Sequence, residues 1–150
     1  IADRFATLHA RAIRCELFDW RRTAAGRLAE IIVLDQFSRN IYRNLPLSFA
    51  ADSLALVLAQ EAIRFAADKE VSEGQRSFFY MPFMHSESAI IHQQAVLLYK
   101  AFGDEGNLKF ELRHKAIIDR FGRYPHRNEI LGRDSTADEI EFLSHPGSSF

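Results

Sequence analysis

Apolar stripes at helical spacing follow one another along this chain, each bracketed by residues that start or stop helices. From Asp3, a candidate N-cap, Phe5, Leu8, Ala12 and Cys15 recur every three or four residues, and Ile13 and Leu17 widen the stripe. The spacing predicts helix to about residue 18 with Cys15 in the core. Trp20 falls in a turn and Thr23 can cap a second helix, whose Leu28, Ile31, Ile32 and Phe37 nearly encircle the axis. A helix apolar on most faces is central.

Asn44-Leu-Pro46 breaks the chain. Ser48 or Asp52 then opens a third helix with Leu54, Val57, Leu58, Ala62 and Phe65 inward. Ser72 with Gln75 forms a capping box for a short helix over 76–81, which Pro82 is expected to stop, amid an aromatic wall of Phe78, Phe79, Tyr80 and Phe83. A long helix over about 86–102 turns Ile90, Ile91, Ala95, Leu98 and Phe102 inward and meets Gly103, a C′ glycine. Leu108, Leu112, Ala116, Ile117 and Phe121 do the same up to Gly122. Pro125 suits the first position of a short helix ending at Gly132, and Thr136 with Glu139 is a second capping box opening a last helix to about Leu143.

No segment reads as a strand. The expected fold is therefore all-α: a single domain over 1–150 with seven to eight antiparallel helices joined by short loops. No internal repeat is legible at the period of about 34 residues that a tetratricopeptide array would show.

Composition narrows the function classes. A net charge of −1 and a pI near 6.7 leave no basic surface for nucleic acid. No uniformly apolar run comes near the roughly 18 residues of a membrane span, so no membrane partner is expected. The lone Cys15 forms no internal disulfide and no signal peptide opens the chain, which points to a reducing cytoplasm. Because the chain starts at Ile1 almost inside a helix, a short N-terminal segment is expected to be missing.

Three polar stretches stand out from this apolar background. In the first, Asp35-Gln-Phe-Ser-Arg-Asn40, Asp35 and Arg39 lie one helical turn apart, as do Gln36 and Asn40. The second, Met81-Pro-Phe-Met-His-Ser-Glu87, places His85 and Glu87 at a helix entrance. The third, Arg120-Phe-Gly-Arg-Tyr-Pro-His-Arg-Asn-Glu129, gathers Arg120, Arg123, His126, Arg127 and Asn128 around a turn. Its local acids are only Asp119 and Glu129, so some of its arginines must find an anion elsewhere: Asp35, Glu87 or a ligand. Neither a Gly-rich phosphate loop nor a nucleophile elbow is present.

Five motifs in order, Leu34-Asp-Gln-Phe-Ser-Arg-Asn40, Pro82-Phe-Met-His-Ser-Glu87, Arg120-Phe-Gly-Arg-Tyr-Pro-His-Arg-Asn128, Leu131-Gly-Arg133 and Pro146-Gly-Ser-Ser-Phe150, resemble the bacterial family numbered 924 among domains of unknown function. The resemblance implies a tetratricopeptide-like helical fold and a longer chain with an aromatic-rich N-terminal segment. It implies no activity. Ser38 stands where the resemblance expects proline, and Tyr124 where phenylalanine is common.

The function expected from the residues is binding of a small anionic molecule, with or without catalysis, in a pocket where the three stretches meet. Arg39, Asn40, Arg120, Arg123, Arg127 and Asn128 would hold the anion, His85 or His126 would move protons, and Asp35 or Glu87 would orient a histidine. The alternative is a helical module for a protein partner in which these motifs are structural networks. A third reading, a metal-dependent hydrolase, would draw on His85, Glu87 and His126. No cofactor, metal or oligomeric state is assigned.

Overall fold

The computed structural model describes residues 2–150, with side chains from Arg4 onward, so the capping side chain expected of Asp3 lies outside what is described. Eight α-helices follow one another: α1 (Ala2–Ile13), α2 (Ala24–Ile32), α3 (Ser38–Ile41), α4 (Asp52–Arg64), α5 (Glu73–Met84), α6 (Ala89–Phe102), α7 (Glu105–Phe121) and α8 (Ala137–Leu143). A π-helical stretch, Val33–Phe37, joins α2 to α3 without a break, so the two form one rod. No strand occurs among the described residues. The all-α expectation therefore holds.

The α2 rod is central, as its apolar faces require: Leu28, Ile31, Val33 and Leu34 are buried, and α1, α4 and α5 pack around it. Of the α4 residues expected inside, Val57 and Phe65 are instead 53% and 62% exposed. The face of α4 that meets α2 and α5 is alanine, with Ala55, Ala59 and Ala62 each fully buried. Small side chains at the contact let helix axes approach closely, which leaves the larger residues to the flanks. Pro46–Arg64 has a mean hydropathy of 1.2, long and apolar enough by composition to cross a membrane. In this fold its alanine face is a packing surface and its Asp52 is ion-paired.

Two helix ends differ from expectation. Helix α1 stops at Ile13 because Cys15 takes a left-handed conformation (φ 58°), which leaves Cys15 exposed and swings Leu17 into the core. Helix α5 opens on the Ser72/Gln75 box but runs through Pro82 to Met84, with His85 as its C-cap. Proline removes a single intrahelical donor, and burial of Phe79, Pro82, Phe83 and Met84 outweighs that loss.

Helices α6 and α7 form a hairpin ended by Gly103 (φ 79°) and Gly122 (φ 70°). Ile90 and Leu112, expected inside, are 70% and 47% exposed. The seam is polar instead, with His92 and Glu111 completely buried beside Ala95, Tyr99, Ile117 and Ile118. The helix expected after Pro125 is a single 3₁₀ turn, Pro125–Arg127, followed by turns to Gly132. Thr136 and Glu139 cap α8 reciprocally as their spacing predicts.

Candidate functional site

The π-helical stretch sets the geometry. Its wider turn carries Asp35, which is 1% exposed, toward α5. There His85 Nδ1 donates to Asp35 Oδ1 at 2.6 Å, since an ionised carboxylate can only accept. Gln36 Nε2 donates to the other carboxylate oxygen, and Arg39 Nη1 lies 3.1 Å from Oδ1. Burial pushes the Asp35 carboxyl up, but His85, Arg39 and Gln36 outweigh it and leave the group below the usual carboxylate range. With Nδ1 committed to Asp35, Nε2 is the His85 ring nitrogen left for another partner.

Asp52, in the first turn of α4, binds two arginines. Arg39 reaches it through two contacts of 2.8 and 3.1 Å, and Arg127 through one of 3.3 Å. Arg127 also donates to the His85 carbonyl at 2.9 Å, which ties the third polar stretch to the second. Both guanidinium groups face the Phe49 ring, Arg127 at 4.4 Å and Arg39 at 5.6 Å, and Arg127 also lies over Tyr124 at 4.8 Å. Arg127 is only 5% exposed, yet its Nε finds no hydrogen-bond partner among the described residues. Nδ1 of His126 is likewise buried and unpartnered.

These groups surround a cleft. Its inner part, about 190 Å3, is lined by Gln36, Arg39, Phe49, His85, His114, His126, Arg127 and Phe150. It opens into an outer part of about 450 Å3 that shares Gln36, Arg39, Phe49, His126 and Phe150 and adds Asn40, Arg43 and Asn44. On the other side of Arg127 and His85, a shallower cavity of about 310 Å3 reaches Asp52 and Glu87. Burial pushes the His114 and His126 imidazoles down to about 4, helped by the positive charge of Arg127, so both are neutral near pH 7.

The three polar stretches thus converge, but several of their residues serve the frame rather than the cleft. Glu87 accepts a bidentate pair from Arg133 and the Tyr124 backbone N–H, which holds it below the usual carboxylate range despite its burial. Arg123 binds Glu139, the acid of the α8 capping box, and the Asp134 carbonyl. Asn128, fully buried, donates to Ser135 and Glu139 and accepts from Arg133. Arg120 is exposed over the Phe121 ring, away from the cleft. Asn40 bonds the Gln36 carbonyl at the outer rim.

Spacing did not reveal Asp52, Arg133, His114 or the His92–Glu111 pair. Asp52 read as a helix start, and Arg133 only as part of the Leu131-Gly-Arg133 motif. The imidazole of His92 lies 2.6 Å from Glu111 and 2.7 Å from the Ser86 carbonyl, with the Tyr124 hydroxyl at 3.1 Å. Both main partners are oxygens, so Nε2–H donates to Ser86 and one proton bridges His92 and Glu111; burial raises the Glu111 carboxyl accordingly. Tyr124 donates to the Met84 carbonyl and so braces the α5 end that carries His85. Only a polar side chain within an apolar stripe hinted at this network. Ser38 is also integrated: fully buried, it donates to the Leu34 carbonyl and meets His9 Nε2 at 2.7 Å.

His85, Glu87 and His126 do not form a metal centre, for among the described residues no group of three His, Cys, Asp or Glu side chains stands close enough to hold an ion. Glu87 is committed to Arg133, and His85 to Asp35.

No curated protein matches the chain. Among solved structures, it is similar to a protein of unknown function from Agrobacterium tumefaciens, ATU0120, with 43% identity and a TM-score of 0.90 over 95% of this chain and 80% of that one. The model of a family described as bacterial protein of unknown function matches residues 1–147. With the helical order, the convergent polar motifs and this match together, the chain belongs to the bacterial family DUF924.

Proposed function

We propose that this protein binds a small anionic molecule in the cleft between Arg39, His85, His126 and Arg127. The observation that carries the reading is the pair of buried nitrogens, Arg127 Nε and His126 Nδ1, that line the cleft without a hydrogen-bond partner among the described residues. An unmade buried hydrogen bond costs about 1–3 kcal/mol, and these two, unlike the unpartnered atoms of Asp68, Tyr99 and Glu111, belong to residues that line a cleft with room for a partner. A carboxylate or phosphate oxygen supplies the missing acceptor for Arg127, and protonated His126 supplies a further donor to it. Since Arg39 and Arg127 are balanced by Asp35 and Asp52, the extra positive charge for the anion comes from a histidine. Binding is therefore coupled to proton uptake.

The Asp35–His85 pair supports the catalytic form of this reading, with His85 Nε2 as the proton carrier and Asp35 fixing its tautomer. The internal pairing of Arg123, Arg133 and Asn128 favours the other reading, a helical module for a protein partner with these motifs as a structural network. Thermal shift and calorimetry with phosphate and with phosphorylated and carboxylated metabolites separate the two. An anion at about 100 times its dissociation constant should add roughly 2.7 kcal/mol to the native protein, and His126→Phe should lose that gain while remaining folded. Absence of stabilisation by every anion, with His126→Phe as stable as the parent, rules out the anion site and leaves the interaction module.

A further inference from the structure

The cleft has an apolar neighbour. A groove of about 680 Å3 runs along α7 toward the C-terminal tail, lined chiefly by Phe110, His114, Ala116, Ile117, Phe142 and Phe150. Its volume lies within the range of about 300–1,000 Å3 typical of small-molecule sites. His114 and Phe150 line both this groove and the inner cleft, so the two cavities share a wall. That wall is aromatic: the Phe150 ring stands 3.8 Å from His114, 4.6 Å from His126 and 5.2 Å from Tyr124. Gly147, at φ 79°, turns the tail so that Phe150 reaches this position. Phe110 and Phe150 nevertheless remain 54% and 55% exposed.

We infer that the anion of the cleft carries an apolar group, alkyl or aryl, which crosses the half-exposed Phe150 ring at the rim of the shared wall and lies in the α7 groove. The inference rests on the anion reading of the cleft and adds the ligand's second half. Arg127 and His126 meet the charged head at one end of the shared wall. Beyond it the surface is aromatic and aliphatic, which a wholly polar molecule would leave uncovered. An alkyl or aryl group removes that surface from water and positions the head by its attachment.

The test is calorimetric titration of the full chain with butanoate, hexanoate and octanoate, alongside methyl and hexyl phosphate to identify the head group. Affinity should rise roughly fourfold per added methylene until the groove is filled. Ala116→Trp, at an exposed position on α7 that does not line the cleft, should abolish the chain-length gain and keep butanoate binding. Binding of short anions with no gain per methylene overturns the inference and leaves the anion cleft standing. A gain that survives Ala116→Trp also overturns it, because the tail then lies elsewhere. If neither short nor long anions bind, both readings fall. A concentration-dependent dimer in sedimentation, lost in Ala116→Trp without any alkyl gain, gives the groove to a second copy of the chain and overturns the inference.

Discussion

His85 Nδ1 lies 2.6 Å from Asp35 Oδ1, joining residues fifty positions apart at the point where a π-helical turn faces the end of α5. Asp35→Asn removes the charge that His85 and Arg39 compensate and should cost about 3 kcal/mol at pH 7 in urea unfolding. The folded carboxyl lies below its unfolded value of about 3.9, so its stabilisation is complete above that pH and is lost as pH falls through the folded value. The variant should therefore show a flatter acid limb than the parent. Parallel acid limbs would mean that Asp35 is not the ionised partner of His85.

The cleft histidines act in a higher pH window. His114 and His126 are held at about 4 in the folded state, against about 6.5 unfolded. The unfolded chain binds more protons between those values, so stability is complete above about pH 6.5 and declines as pH falls toward 4. Allowing for residual solvent screening, each contributes about 2 kcal/mol to that decline. His9, also lowered by burial, adds to it with the same sign. Unfolding midpoints between pH 7 and 4 should slope less in a His114→Gln, His126→Gln double variant, and an equal slope would contradict the assignment.

Anion binding should strengthen over the same window. A bound carboxylate or phosphate favours protonated His126, so affinity rises as pH falls from 7 to 5 and calorimetry in buffers of different ionisation enthalpy should register proton uptake. Uptake near zero would remove His126 from the set of anion donors.

The arginines of the third stretch should separate sharply. Arg120→Ala, at an exposed position, should change stability by no more than about 0.5 kcal/mol and leave anion binding untouched. Arg127→Ala should cost about 3 kcal/mol, because it leaves Asp52 and the His85 carbonyl short of a donor, and should abolish anion binding. Equal effects from the two substitutions would refute the placement of the cleft.

Gly26→Ala tests a backbone approach. A Cβ there would stand 1.9 Å from the Trp20 carbonyl oxygen, where the 3₁₀ turn Phe18–Arg22 folds onto the start of α2. Relief requires backbone movement, at a cost of about 3 kcal/mol, which lowers the melting temperature by roughly 10 °C. A substitution that leaves the melting temperature unchanged would show that the turn moves freely.

The parts of this fold written in the sequence are those governed by neighbours within a turn or two. Apolar spacing and the Ser72/Gln75, Thr136/Glu139, Gly103 and Gly122 signals determined an all-helical chain and most of its boundaries, because caps and stripes are satisfied locally. Convergence of the polar stretches was also foreshadowed, since clustered arginines need anions that their own segment lacks. Which pairs form depended on the packing of distant elements. Asp52 rather than Asp119 receives Arg127, Arg133 rather than Arg123 takes Glu87, and Arg120 is left outside, because spacing fixes a face of one helix but not the distance to the next. Tertiary packing likewise carried α5 through Pro82, turned Val57 and Phe65 outward where the α4 contact favoured alanine over larger side chains, and turned Ile90 outward where the α6 seam buries His92. The π turn at Asp35 and the proton shared by His92 and Glu111 follow the same rule: each depends on a partner that local sequence does not name.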